Sequence, residues 1–320
     1  MSASSVVALC GGVGGAKLAL GLYRVLPPDR LTLIVNTGDD FDHLGLRICP
    51  DLDTTLYTLA DLANPEAGWG RRDETWTFMK TLADLGGETW FRLGDADLAL
   101  HVERTRRLQA GEPLSRIVAD VARRFRIHAA IVPMSDEAVR TRVHTREGVL
   151  AFQEYFVRRR CEPAVTALEY AGAAAARIAP QALAALNAAE VAAIILCPSN
   201  PYLSVDPILA LPGMRAALKA APAPVIAVTP LVAGKAIKGP TAKIMAELEV
   251  PLSSVAIAGH YADFIDGFVL DRADAALVPA FRCSLLVADT LMVTLADRER
   301  LAREVLQFAA TLRRQAEDQP

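Results

Sequence analysis

Five aspartates crowd one short stretch of this chain. Asp39 and Asp40 follow Asn36-Thr37-Gly38, Asp42 comes next, and Asp51 and Asp53 lie in Pro50-Asp51-Leu52-Asp53-Thr54. Carboxylates this close repel one another unless something positive binds among them. Hard oxygen ligands of this kind suit Mg2+ bridging phosphate groups. The plainer reading of any single one is a cap, with Asp51 or Asp53 at the start of a helix near Thr54. As a cluster they point to a site, because a glycine loop precedes them, Cys10-Gly11-Gly12-Val13-Gly14-Gly15-Ala16-Lys17. Glycines let backbone amides approach an anion, and a helix N-terminus favours negative charge. The loop is not of the Walker type, which needs Gly before the Lys and Ser or Thr after it; here Ala16 and Leu18 flank Lys17. It is also an imperfect dinucleotide fingerprint, since Lys17 stands where Gly or Ala is expected. A phosphate-bearing ligand is therefore expected at Gly11, Gly12, Gly14, Gly15 and Lys17, the alternative being a bare strand-to-helix turn.

Smaller polar islands follow. Pro198-Ser199-Asn200-Pro201 ends an apolar run, and its two prolines fix a turn presenting the Ser199 and Asn200 side chains. Gly239-Pro240 with Lys243 is a weaker signal of the same kind. Asp95 caps an expected helix that contains His101, and a lone histidine there reads first as structural. There is no G-x-S-x-G elbow, so a covalent serine intermediate is not suggested.

Short β-rich runs alternating with helical stretches must position these groups. Val6–Cys10, Leu31–Val35, Val191–Cys197, Val225–Val228, Val255–Ala258 and Leu285–Val287 read as buried strands. A helical pattern over Leu18, Leu22, Val25 and Leu26 is stopped by Pro27 and Pro28. Runs apolar on both faces, alternating with helices, predict a parallel sheet covered on both sides. The middle differs: Trp69 to Phe125 reads mostly helical, Val149–Phe156 reads as a strand, and the alanine-rich 173–189 stretch as helix on either side of Pro180. The expected fold class is α/β, a Rossmann-like doubly wound, mainly parallel sheet with a largely helical insertion. Residues 1–65 and 190–320 would form the nucleotide-binding core, and 66–189 the insertion contributing to the substrate site. In open α/β sheets ligands sit beyond the carboxyl ends of the strands, which brings the acidic cluster near the glycine loop.

Composition closes off other classes. The chain has 320 residues, 34 Lys plus Arg against 37 Asp plus Glu, and a net charge of −3. With 52% hydrophobic residues it is not a disordered chain, and it lacks the basic balance of a bulk nucleic-acid binder. No apolar run approaches the ~20 residues of a membrane span. The start has no basic region, so no signal peptide is expected. The five cysteines are scattered without metal-ligand spacing, which suits a reducing cytoplasm. Charge is uneven locally. Asn36 to Asp53 carries five Asp and one Arg, while Arg104 to Arg126 carries seven Arg against Glu112 and Asp120. Some of those arginines could meet phosphates; most are expected on solvated helix faces.

The islands together resemble one family. ALCGGVGGAKLALGL, VNTGDDFDHLGLRICPDLDTTLYTLADLANPEAGWGRRDETW, FRLGDADLALHVERTRRLQAGEPLS, LCPSNPYLSVDPILALPGMR and VTPLVAGKAIKGPTAKIM run in order along the chain and look like the CofD/FbiA family. The resemblance implies a cytoplasmic, Mg2+-dependent transferase of coenzyme F420 biosynthesis, generally a homodimer. Such an enzyme moves a phosphorylated three-carbon acid (2-phospholactate, phosphoenolpyruvate or 3-phosphoglycerate) from its guanosine-diphosphate-activated form to the deazaflavin alcohol Fo, releasing GMP. On this reading Asp39, Asp40, Asp51 and Asp53 are the metal candidates, and Asp39, Asp40 and Asp53 the catalytic ones. The resemblance points to Asp53 and Arg92 as Fo-binding positions. Gly11 to Gly15 would lie near the phosphates or guanosine, and Ser199 and Asn200 would help hold the nucleotide. His43 is given no role. Two other readings stand beside it: a non-catalytic guanosine-nucleotide-binding regulator of the same fold, and a nicotinamide dehydrogenase using the glycine loop.

Overall fold

The computed structural model describes residues 4–65, 70–237 and 239–317, so Trp69, where the helical stretch was expected to start, lies outside the described residues. Seven strands form a central sheet: β1 (Ser5–Cys10), β2 (Leu31–Val35), β3 (Ala130–Pro133), β4 (Val191–Leu196), β5 (Val225–Val228), β6 (Gly267–Asp271) and β7 (Ser284–Ala288). Their spatial order is β3-β2-β1-β4-β5-β6-β7, and every neighbouring pair is parallel. This is the doubly wound order, in which the chain turns back between β1 and β4. Ala8 of β1 stands opposite Leu33 of β2 and Ile195 of β4.

Alternation along the strands shows why both faces are covered. Val7 and Leu9 belong to one apolar cluster, and Val6, Ala8 and Cys10 to the other, on the opposite face. Helices α1 (Gly12–Val25), α2 (Pro50–Leu59) and α5 (Leu114–Arg124), with the C-terminal helix Leu295–Glu317, cover the second face. Leu18, Leu22, Leu52, Leu56, Val118 and Leu301 bury there. Two further helices follow, α3 (Thr77–Asp84), beside a small cluster of Ile48, Met79 and Leu93, and α4 (Asp95–Gln109), which lays Leu100 and Leu108 against the second-face cluster.

Three expectations change. Val255–Ala258 is not a strand; it lies in the helix Ser254–His260, where the Ser253 hydroxyl accepts the Ala256 N–H as an N-cap. A four-residue apolar run carries no period that separates strand from helix. The strand of that region is instead β6, with the sequence GFVLD. The 66–189 segment also supplies edge strand β3, so the sheet draws on it as well as on the two ends. It further contains an antiparallel sheet of Arg140–Thr145 between Gly148–Ala151 and Val165–Ala171. Of the expected 149–156 strand only 149–151 is extended, within Gly148–Ala151; Glu154–Arg158 winds into a π turn.

The α1 contact with the C-terminal helix depends on Gly21, because a Cβ there would strike the Arg298 backbone carbonyl. Helix propensity alone favours alanine by about 1 kcal/mol. A backbone carbonyl cannot move aside as a side-chain tip can, so the clash dominates. Gly21→Ala is expected to destabilise the protein by about 2 kcal/mol, read as a lower thermal midpoint; an unchanged or higher midpoint would refute this packing.

Candidate functional site

The crevice between the carboxyl ends of β1 and β4 is where the chain diverges to opposite faces of the sheet. There the glycine loop meets the turn after β4 at close quarters. A Cβ on Gly11 would lie 2.5 Å from Asp51 Oδ2 and 2.8 Å from Ser204 Cβ, and one on Gly15 2.5 Å from Ser199 Oγ. A Cβ on Gly14 would strike the Pro198 carbonyl. Gly12 adopts the left-handed φ of +61°. The glycines thus admit neighbouring protein as well as keeping the helix entrance open.

The contacts are specific. The Ser199 hydroxyl donates to the Gly11 carbonyl at 2.8 Å. Asn200 Oδ1 accepts the amides of Tyr202 and Leu203, while its Nδ2 is buried with no hydrogen-bond partner. Lys17 Nζ donates to the Met292 carbonyl at 2.8 Å, tying α1 to the segment after β7.

The acidic residues divide into three environments. Asp51, in the first turn of α2, accepts the Gly12 N–H on Oδ1 at 2.6 Å. Asn36 Nδ2 bridges Asp51 Oδ2 at 2.9 Å and Asp39 Oδ1 at 3.1 Å. Burial pushes Asp51 up to about 6 against the pull of these donors. Burial, then the charges of Asp51 and Asp40, push Asp39 well above the ordinary carboxylate range. Asp40 is pushed up to about 7 by burial, and its Oδ1 has no hydrogen-bond partner. Asp42 is exposed and pairs with Arg47 at 2.7 Å. Asp53 turns toward α4: both of its oxygens are held by the buried Arg104 guanidinium, and His101 Nδ1 lies 3.7 Å away.

Asp39 and Asp51 form one wall of a cavity of about 600 Å³, together with Gly11, Gly12, Gly14 and Lys17. Ser199, Asn200 and Arg92 also line it, whereas Asp40 and Asp53 do not. Aromatic side chains and one arginine line the rest of it. Trp90 and Phe91 pack edge to face at 5.7 Å, and Phe152 and Phe156 stack at 5.3 Å. The Arg92 guanidinium lies 3.9 Å over the Trp76 ring and also borders a smaller neighbouring cavity of about 130 Å³. None of the arginines between Arg104 and Arg126 lines the large cavity. Arg104 is buried against Asp53, and most of the others are exposed.

The aromatic wall is what sequence reasoning missed. Trp90 and Phe91 directly precede Arg92, and Phe152 and Phe156 sit at helical spacing. Adjacency to Arg92 was a usable signal for the first pair only. His43 also belongs here, packed between Trp90 and Phe91 with its pKa lowered by burial.

Comparison with known proteins settles the family. The profile described as "2-phospho-L-lactate transferase CofD" matches residues 6–280. The chain belongs to the CofD family. A phosphoenolpyruvate transferase of Kitasatospora aureofaciens is 39% identical, covering 96% of this chain and 98% of its own. A 2-phospho-L-lactate transferase of Methanosarcina mazei is 37% identical over 94% and 99%. A solved UPF0052-family structure from Bacillus halodurans shares the fold at TM-score 0.62 and 14% identity, covering 95% of this chain and 99% of that one. This CofD-family chain is thus a transferase of F420 biosynthesis. None of its described helices is long and apolar enough to cross a membrane.

The shifted aspartates set a pH dependence. Asp39, Asp40 and Asp51 hold protons more tightly folded than unfolded. Their stabilisation is complete below about pH 4, the unfolded carboxylate value, and is lost as pH rises through the folded values. Those are about 6 for Asp51 and about 7 for Asp40. In chelator-treated buffer, Asp51→Asn should lose less thermal midpoint than wild type between pH 4 and 8. Parallel profiles would contradict the assignment.

Proposed function

We propose that this chain transfers a phosphorylated three-carbon acid from a guanosine-diphosphate-activated donor to the deazaflavin alcohol Fo, releasing GMP, with Mg2+ as cofactor. One observation carries the reading: a single cavity sets two buried carboxylates at a helix N-terminus against a wall of aromatic rings and one guanidinium. The polar side suits a diphosphate with a cation, and the aromatic side suits a planar ring system.

Asp39 and Asp51 fit Mg2+. Both line the cavity, both bind one Asn36 amide, and each burdens the other with buried like charge that a cation would relieve. Mg2+ takes one or two carboxylates and completes its shell with water and phosphate oxygens. Asp53 does not fit as a ligand, because Arg104 claims both of its oxygens. Bound there, Mg2+ would offset charge developing on the phosphate oxygens.

The rest falls to the protein. The first turn of α1 would turn Val13 and Gly14 toward the phosphates, while the Gly12 amide stays on Asp51. Ser199 holds the Gly11 carbonyl and so keeps that turn in place, and the unpaired Asn200 Nδ2 is a donor available to the nucleotide. Trp90, Phe91 and Arg92 receive the deazaflavin. The Fo 5′-hydroxyl oxygen bonds to the phosphorus nearer the acid, the bridging P–O bond breaks, and the bridging oxygen leaves with GMP. The hydroxyl proton passes to a carboxylate lining the cavity, for which Asp39 is our candidate. Positioning supplies much of the rate in such transfers.

The nicotinamide reading loses support, because the matching family and the named relatives are transferases.

Purified protein with Fo, Mg2+ and the three activated donors in competition should release GMP, and the mass of the deazaflavin product identifies the acid. No GMP with any donor would refute the reading. Asp51→Asn should lower kcat at least a hundredfold while the circular dichroism spectrum is kept; wild-type kinetics would remove Asp51 from the mechanism. Arg92→Ala should raise KM for Fo about tenfold or more, as loss of a charged contact does, and an unchanged KM would count against the aromatic wall as the acceptor site.

A further inference from the structure

We propose that His101, with Asp97 and Arg104, is a positioning element that fixes the aromatic and cationic wall against the core and thereby sets affinity for the acceptor but not for the nucleotide. The proposal rests on the reading that Trp90, Phe91 and Arg92 receive the acceptor. The apolar cluster beneath α3 is small, formed by Ile48, Met79 and Leu93. α4 also lays Leu100 and Leu108 on the second-face cluster, and Trp90 and Phe91 pack on Phe41 and His43. The link to α2 is polar and buried.

Asp97, His101 and Arg104 share one face of α4 by their i, i+4, i+7 spacing, and Asp53 and Tyr57 share one face of α2. His101, 1% exposed, stands between two carboxylates, with Nδ1 3.7 Å from Asp53 and Nε2 3.3 Å from Asp97. Asp97 also accepts the Tyr57 hydroxyl at 2.5 Å. Arg104, likewise 1% exposed, grips Asp53 and donates to the Arg47 carbonyl at 3.3 Å. Asp53, Asp97 and His101 present atoms within 4.8 Å of one another, a spacing a cation could use. Arg104 holds both Asp53 oxygens, and the imidazole stands at ion-pair distance from Asp53 and Asp97 with neither nitrogen hydrogen-bonded.

Displacement here reaches the wall by a short route. Glu74 accepts the Ala96 and Asp97 amides at 2.8 and 2.9 Å, and Asp95 accepts those of Thr77 and Phe78 at 3.0 Å. Trp76, on which Arg92 stacks, lies between these anchors in sequence. Asp51, on the same helix as Asp53, has anchors of its own in Gly12 and Asn36 at the ends of β1 and β2. A fault at His101 should therefore fall on one substrate.

The test compares wild type, His101→Ala, His101→Gln, Arg92→Ala and the His101→Ala/Arg92→Ala double variant. In His101→Ala, KM for Fo should rise at least tenfold while the affinity for guanosine diphosphate stays within twofold. His101→Gln, which keeps an amide donor toward Asp97, should recover most of the loss and carries the comparison should the alanine variant not fold. The double variant should have a KM for Fo within threefold of Arg92→Ala alone. Hydrogen exchange should speed up across α3 and the start of α4 in His101→Ala, with β1 and α1 unchanged. Equal loss of nucleotide affinity, additive effects in the double variant, or unaltered exchange would overturn the proposal. Absence of turnover in wild type would instead refute the functional reading, and the exchange comparison would still decide the positioning role.

Discussion

The structure turns on the buried carboxylate of Asp51. One oxygen takes the Gly12 amide at the head of α1, and the other takes the Asn36 amide at the end of β2. Through this one group the start of α2, the start of α1 and the loop after β2 are held at the point where the sheet reverses direction. Burying an anion there costs free energy unless donors surround it, and a helix N-terminus offsets part of that cost. Asn36 also holds Asp39, so the network places a second carboxylate beside the first. On the proposed reading, a cation would relieve the crowding of these two carboxylates and bring phosphate oxygens with it.

Around that centre the two walls are built by different means. The carboxylate side is tied to the ends of β1 and β2 through Gly12 and Asn36. The aromatic wall sits on two helices with a small core and is tied down by buried polar groups from α2 and α4. An enzyme joining a nucleotide-activated acid to a large planar acceptor needs both surfaces within reach of one reacting phosphorus. On the proposed reading, the carboxylate side would take the phosphates and the aromatic side the acceptor, and the family's relatives are named for different acids.

Much of this was legible in the sequence because it is local. The glycine loop, the Asp51 turn and Ser199-Asn200 each sit at a strand end, where period and punctuation are clear, and the doubly wound sheet follows from runs apolar on both faces. What escaped was non-local or ambiguous. Val255–Ala258 has the composition of a strand, but Ser253 caps it as a helix. Trp90 and Phe91 meet the glycine loop only after the chain has left the sheet and returned. Asp53 looked equivalent to Asp51 two residues away. On a helix, two residues is over half a turn, so one faces the crevice and the other faces Arg104. Arg104 itself was lost in an arginine-rich run whose other members mostly meet solvent.

The most direct test of the central claim follows the bridging oxygen of the donor. With 18O placed between the two phosphorus atoms, attack of the Fo hydroxyl on the acid-side phosphorus sends the label into GMP and leaves the deazaflavin product unlabelled. Mass spectrometry should find all of the label in GMP. Label in a released phospho-acid, with the guanosine phosphate joined to Fo, would contradict the account.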